Sequence, residues 1–181
     1  EPAFDISGYD QQLVRRKMKY EPAFASSSEK DVPHFDESDL VLATGGAKGI
    51  TAECVFAFAK KHRCKTALLG SSALNEEISA TLKRYEQDNL VVRYMPCDIS
   101  NQEAVTDVVK KISATMGGVT VVIHGAGKNV PRRAEKVVKA DALDEIAPKL
   151  LGVMNLCEAL KDAPVKVFAA LTSIIGVTGM P

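Results

Sequence analysis

Residues 40–50 read Leu-Val-Leu-Ala-Thr-Gly-Gly-Ala-Lys-Gly-Ile. An apolar run, a tight glycine turn and a helix start follow one another in that order. Such an order makes a phosphate-binding device. Gly45 and Gly49 leave room for a ligand beside the backbone, and the N–H groups and positive end of the following helix favour an anion. The context of a dinucleotide fingerprint is present, but the spacing is not the standard one. The glycines fall at 45, 46 and 49, and Thr51 stands where a later glycine is usual.

Outward from this stretch the pattern alternates. Strands are expected at Leu40–Thr44, Thr66–Gly70, Leu90–Cys97, Val119–His124 and Val165–Leu171. Helices are expected at Ala47–His62, Asn75–Asp88, Asn101–Met116 and Ala142–Leu160. The first helix would turn Ile50, Cys54, Ala57 and Phe58 inward. The second would turn in Ile78 and Leu82, and the third Val105, Val108, Val109 and Ile112, with Gly117-Gly118 stopping it. Apolar strands separated by helices imply an α/β fold, a Rossmann-like doubly wound parallel sheet in the order 3-2-1-4-5. Ligands of such sheets bind beyond the carboxyl ends of the strands, beside the first. Residues 1–38 differ: they are polar, carry Ser26-Ser27-Ser28, and read as a linker or the tail of a preceding domain, with a short basic helix over Gln11–Tyr20. Glu-Pro-Ala-Phe occurs at Glu1 and again at Glu21, too short a match for a repeat.

Composition narrows the function classes. Lys plus Arg and Asp plus Glu number 23 each, which argues against bulk-charge binding to nucleic acid or membrane. No apolar run approaches the ~20 residues of a membrane span. The N-terminus has no basic start followed by an apolar signal core. Cys54, Cys64, Cys97 and Cys157 have irregular spacing that suits neither zinc nor a disulfide framework, so a cytoplasmic setting is the simplest expectation.

Four further positions lie at expected strand ends. Asp98, in Cys97-Asp98-Ile99, would accept from an adenine amino group, or else cap the next helix, with Ser100 a competing cap. His124-Gly125-Ala126-Gly127 lets a cofactor pass close to the sheet edge, or merely forms a turn. Thr172-Ser173 places a hydroxyl at the last strand end, where serines are usually turn formers. Lys149, after Pro148, would alone read as a solvated lysine.

Together these residues resemble the short-chain dehydrogenase/reductase superfamily, and more narrowly the ketoreductase domains of polyketide synthases. Thr44-Gly45-Gly46-Ala47-Lys48-Gly49-Ile50 resembles the cofactor fingerprint, and His124-Gly125-Ala126-Gly127 the motif after the fourth strand. Pro148-Lys149-Leu150-Leu151-Gly152 resembles the lysine motif, and Thr172-Ser173-Ile174-Ile175-Gly176 the serine motif. The resemblance covers residues 39–181, an incomplete domain by this reading. It implies that Gly45, Gly49 and Ile50 line a pyrophosphate, that Asp98 and Ile99 hold adenine, and that Gly125 sits under the nicotinamide ribose. It further implies that Ser173 binds the substrate ketone and that Lys149 supports proton delivery. The second strand ends Leu69-Gly70-Ser71-Ser72, without the carboxylate that favours NAD; Ser71 stands where the family has an arginine, and Lys48 would supply the cation for NADPH. The implied reaction is reduction of a β-ketoacyl group on an acyl carrier protein, beside neighbouring synthase domains. Arg132 and Arg133 would face the carrier's phosphopantetheine. The family's proton-donor tyrosine has no counterpart after Ser173, because the last tyrosine is Tyr94. That departure keeps open a non-catalytic nucleotide-binding scaffold, and a free-standing short-chain dehydrogenase remains a third reading.

Overall fold

The structure, a computed structural model, describes residues 4–9, 15–20, 33–130 and 132–173. The chain divides into two compact units, residues 1–32 with 172–181, and residues 33–171. In the first unit β1 (Phe4–Tyr9) pairs antiparallel with β2 (Arg15–Tyr20), Phe4 opposite Tyr20 and Tyr9 opposite Arg15. The basic helix expected over Gln11–Tyr20 is therefore a strand from Arg15 onward, and residues 11–14 lie outside the described ones. A ten-residue helix has too few internal hydrogen bonds to offset its nucleation cost, whereas a partner strand satisfies the inner edge of the backbone.

The second unit alternates as expected: β3 (Leu40–Thr44), α1 (Gly49–His62), β4 (Lys65–Gly70), α2 (Glu76–Gln87), β5 (Val92–Pro96), α3 (Gln102–Met116), β6 (Val121–His124), α4 (Lys139–Ala159) and β7 (Val167–Ala170). The five strands form one parallel sheet in the order β5-β4-β3-β6-β7. Counted from β3, this is the 3-2-1-4-5 order. Residues on β3 alternate between two cores, as a strand buried on both faces must. Leu40 and Leu42 join Val105, Val109, Ile112 and Leu156 from α3 and α4. Val41 and Ala43 join Val55, Ala59, Ile78 and Tyr85 from α1 and α2. A fully buried leucine such as Leu42 contributes about 1.5–3 kcal/mol.

The helix boundaries have local causes. Asn75 and Asn101 cap α2 and α3, their side-chain oxygens accepting from the N–H groups of Ile78 and Ala104 at 3.0 Å each. Neither Asp98 nor Ser100 is the cap of α3. Gly117 ends α3 at φ +110°. On α1 the expected inward face is corrected. Thr51, Ala52, Val55 and Ala59 are buried, while Ile50 is 79% exposed and Cys54 and Ala57 are also exposed. Small residues let the helix lie close on the sheet, so the buried stripe has few large apolar side chains to mark it. No helix among the described residues is long and apolar enough to cross a membrane.

One buried charge ties the start of β3 to the approach to β7. Asp39 is 1% exposed, accepts from Asp36 N–H at 3.0 Å and pairs with Lys166 at 2.7 Å. Burial pushes its carboxyl up, but the hydrogen bond from Lys166, further donors at Thr120 and Asp36, and the Lys166 charge outweigh this and hold it below its usual value. The stabilisation this gives is complete above the unfolded-state value of about 4 and is lost as pH falls through the lower folded value. Lys166→Met should therefore lower stability at pH 7 by about 1–3 kcal/mol. It should also move the acid-unfolding midpoint to higher pH. Denaturant titrations between pH 3 and 7 check both, and an unchanged acid midpoint would contradict the assignment.

Candidate functional site

The carboxyl ends of β3, β4 and β6 open into a crevice of about 690 Å³. It lies where the sheet order reverses, between β3 and its two neighbours, the position at which doubly wound sheets take ligands. The volume is in the range of small-molecule sites. Gly45, Lys48 and Gly49 form one wall, from the turn between β3 and α1. Ser71 and Ser72 follow β4, Asp98 and Ile99 follow β5, and Gly125, Ala126 and Gly127 follow β6.

The turn after β3 is fixed by hydrogen bonds that run past the ends of the strands. Gly45 N–H donates to Leu69 O at 2.8 Å, and Gly125 N–H donates to Thr44 O at 3.0 Å. Gly45 has φ +65°, and a Cβ on it would stand 2.9 Å from the Ala126 backbone. Gly49 has φ +57° with no neighbour within 4 Å of its would-be Cβ, so the first turn of α1 is bare on that side. The N-cap, Lys48, makes no side-chain cap hydrogen bond, and the first turn holds no acidic residue. The first intrahelical bond runs from Ala52 N–H to Lys48 O, at 3.3 Å. Gly49, Ile50 and Thr51 N–H precede it, a donor set that fits an anionic phosphate.

Not every expected residue lines the crevice. Thr44 and Gly46 are buried behind it, and His124 is 4% exposed. Thr44 Oγ1 lies 2.8 Å from His124 Nδ1 and accepts from Ala126 N–H at 3.3 Å. Burial pushes the His124 pKa down, so the ring is neutral at pH 7. Its role in the fold is to brace the loop after β6. Ile50 does not line the crevice, and its side chain is in solvent. Asp98 is exposed at the crevice and accepts from Ser100 N–H at 2.9 Å. Ser71 is exposed on the rim. Lys149 sits on α4 one residue past Pro148 and donates to Lys128 O at 2.7 Å. Ser173 is exposed, three residues past the end of β7 and in the first compact unit.

Several residues of this site had no signal in the sequence pattern. Tyr94 on β5 donates to Ser72 O at 2.6 Å and pins the turn after β4. Burial raises its pKa, which keeps it a donor. Asn155 on α4 donates to Ile99 O at 2.9 Å, which ties that helix to the Asp98–Ile99 segment. The stretch after β6 is held on α4 by charge. Lys128 pairs with Asp144, Arg132 pairs with Asp141 and Glu145, and Val130 N–H donates to Glu145 at 3.3 Å. Arg132 is therefore held on α4 by two carboxylates, with its side chain 25% exposed. Arg133 is exposed.

The departure at Thr51 also has a cause. Its side chain is 6% exposed and packs on Gly125, where a Cβ would come within 2.1 Å of Thr51 Oγ1. The close approach that a glycine on the helix would give is made by a glycine on the β6 loop instead.

A family model described as the KR domain matches residues 40–181. Among curated proteins, the chain is 29% identical over 182 residues to the polyketide synthase PksL of Bacillus subtilis, covering 90% of this chain and 4% of that one. It is 29% identical over 139 residues to the highly reducing polyketide synthase Preu5 of Preussia isomera, covering 76% and 5%. The chain thus spans a small fraction of those synthases. Among solved structures, a ketoreductase domain from the bacillaene assembly line superposes with TM-score 0.78 at 24% identity, covering 94% of this chain and 40% of that one. An alcohol dehydrogenase from the archaeon Thermococcus sibiricus, complexed with 5-hydroxy-NADP, gives 0.71 at 24%, covering 79% and 61%. At these identities the superpositions speak for the fold.

The Thr51–Gly125 contact makes a prediction. Gly125→Ala should destabilise the protein by about 1–3 kcal/mol through overpacking. Adding Thr51→Gly should recover part of that loss, giving a coupling of at least about 1 kcal/mol in a double-mutant cycle read by urea denaturation. Additive effects would show that the two side chains do not meet.

Proposed function

The chain belongs to the KR domain family of ketoreductases, and on that premise we propose that it forms the nucleotide-binding part of an NADPH-dependent β-ketoacyl reductase in a multidomain synthase. The observation that carries this reading is the bare N-terminus of α1, opening beside Lys48 into the crevice at the strand ends. Gly45, Gly49 and Ile50 would present backbone to the pyrophosphate. Asp98 and Ile99 would hold the adenine, and Gly125, Ala126 and Gly127 would let the nicotinamide ribose lie close to the sheet. Thr44, Gly46 and His124 would support these segments from behind. Lys48, with Ser71 on the opposite rim, would receive the 2′-phosphate. The stretch Leu69–Ser72 holds no carboxylate to accept from a free 2′-hydroxyl, which supports NADPH over NADH. The archaeal dehydrogenase of the same fold was solved with an NADP derivative.

When bound, the nicotinamide would supply a hydride to the ketone carbon. Ser173 would donate a hydrogen bond to the ketone oxygen and stabilise negative charge as it develops there. Lys149 would keep a positive charge near the path by which a proton reaches that oxygen. Its ammonium is already held by Lys128 O, so its position follows the loop after β6. The β-ketoacyl substrate would arrive on an acyl carrier protein, which the kinship with polyketide synthases supports. Residues 1–38 would then be a linker or the tail of a preceding synthase domain.

Stopped-flow NADPH oxidation by the full-length protein, with a β-ketoacyl thioester, tests the reading. Ser173→Ala should lower kcat by about 10²- to 10³-fold. Lys149→Ala should lower it by about 10²-fold or more. Neither change should raise the KM for NADPH appreciably. Full activity in the double variant would overturn the roles of both residues, and absence of NADPH oxidation in the wild type would overturn the reductase reading.

A further inference from the structure

Two cations line the crevice among the described residues, Lys48 and Lys128. Lys128 is paired with Asp144 on α4. Lys48 is paired with Glu77, its Nζ 3.4 Å from Glu77 Oε2. Glu77 lies in the first turn of α2, directly before Ile78, which lines the crevice itself. A group that binds Lys48 from the crevice must therefore share the ammonium with a carboxylate already beside it. Among the described residues that line the crevice after β4, none replaces that cation: Ser71 and Ser72 are neutral, and Tyr94 O–H donates to Ser72 O.

We propose that Glu77 is a specificity-determining residue: it sets how strongly this site prefers a nucleotide carrying a 2′-phosphate, by competing with that phosphate for Lys48. The inference rests on the NADPH reading above and adds to it a repulsive element. A 2′-phosphate dianion seated on Lys48 lies within several ångströms of the Glu77 carboxylate, so the attraction to Lys48 is partly offset. The pair is half in solvent, its side chains being 41% and 62% exposed, so the offset depends on salt. Nucleotides without the phosphate have no charge at this point and are indifferent to Glu77.

The test is calorimetric titration of the full-length protein with 2′,5′-ADP and with 5′-AMP, for wild type, Glu77→Gln, Lys48→Gln and the double variant. Wild type should bind 2′,5′-ADP more tightly than 5′-AMP. Glu77→Gln should tighten 2′,5′-ADP by about 3- to 10-fold at low ionic strength, fading to under about twofold at 0.5 M salt. The same change should leave 5′-AMP binding unaltered. In the Lys48→Gln background most of that gain should disappear. Equal or weaker 2′,5′-ADP binding by Glu77→Gln would overturn the proposal while the NADPH reading stands. A gain undiminished without Lys48 would overturn competition for that ammonium. A wild type that does not discriminate the two ligands would overturn the NADPH reading, and the proposal with it.

Discussion

The site depends on one close approach. The turn after β3 and the segment after β6 meet through backbone, with no side chain between Gly45 and Ala126. A parallel sheet sets neighbouring strands about 4.8 Å apart, and the turn that leaves β3 must clear the end of β6 within that spacing. Gly45 makes this possible in two ways, by its left-handed φ and by having no Cβ to meet Ala126. Ladder bonds from Gly45 to Leu69 and from Gly125 to Thr44 then lock three strand ends into one surface. Because this surface is bare, the positive end of α1 faces the crevice and not a side chain.

Contacts from the surrounding elements hold that surface in place. Thr44, His124 and Ala126 form a buried hydrogen-bonded group under the β6 loop. Tyr94 holds the rim after β4, and Asn155 holds the segment after β5. Ion pairs to α4 hold the loop after β6. Each strand end that contributes to the crevice is thus braced by contacts outside its own turn, α4 holding the segments after both β5 and β6, which suits a site that must present fixed donors to a ligand.

The sheet order was legible in the sequence because strands buried on both faces are written as uninterrupted apolar runs, as at Leu40–Ala43 and Val121–Ile123. The glycine turn was legible because few residues tolerate its geometry. The inward face of α1 was legible only in part: Phe58 packs partly buried against the core as its periodicity implied, but most of the buried stripe, Thr51, Ala52 and Ala59, is small, and Ile50 is in solvent. The hairpin of β1 and β2 escaped for a different reason. Met18 and Tyr20 alternate with Lys17 and Lys19, and pair in register with Ile6 and Phe4, but four alternating residues after a basic run are a short signal. Arg132 looked available because its partners, Asp141 and Glu145, are brought to it only by the return of α4. Contacts between residues distant in sequence leave no local trace, and the bracing of this site consists almost wholly of such contacts.

The N-terminus of α1, with Lys48, is proposed to hold a phosphate-bearing nucleotide. A crystal structure of the ketoreductase region with NADP⁺ tests it most directly. Pyrophosphate oxygens should lie within hydrogen-bond distance of Gly49 or Ile50 N–H, and the 2′-phosphate within reach of Lys48 Nζ. A cofactor whose pyrophosphate lies away from the turn after β3, or whose 2′-phosphate contacts neither Lys48 nor Ser71, would contradict it.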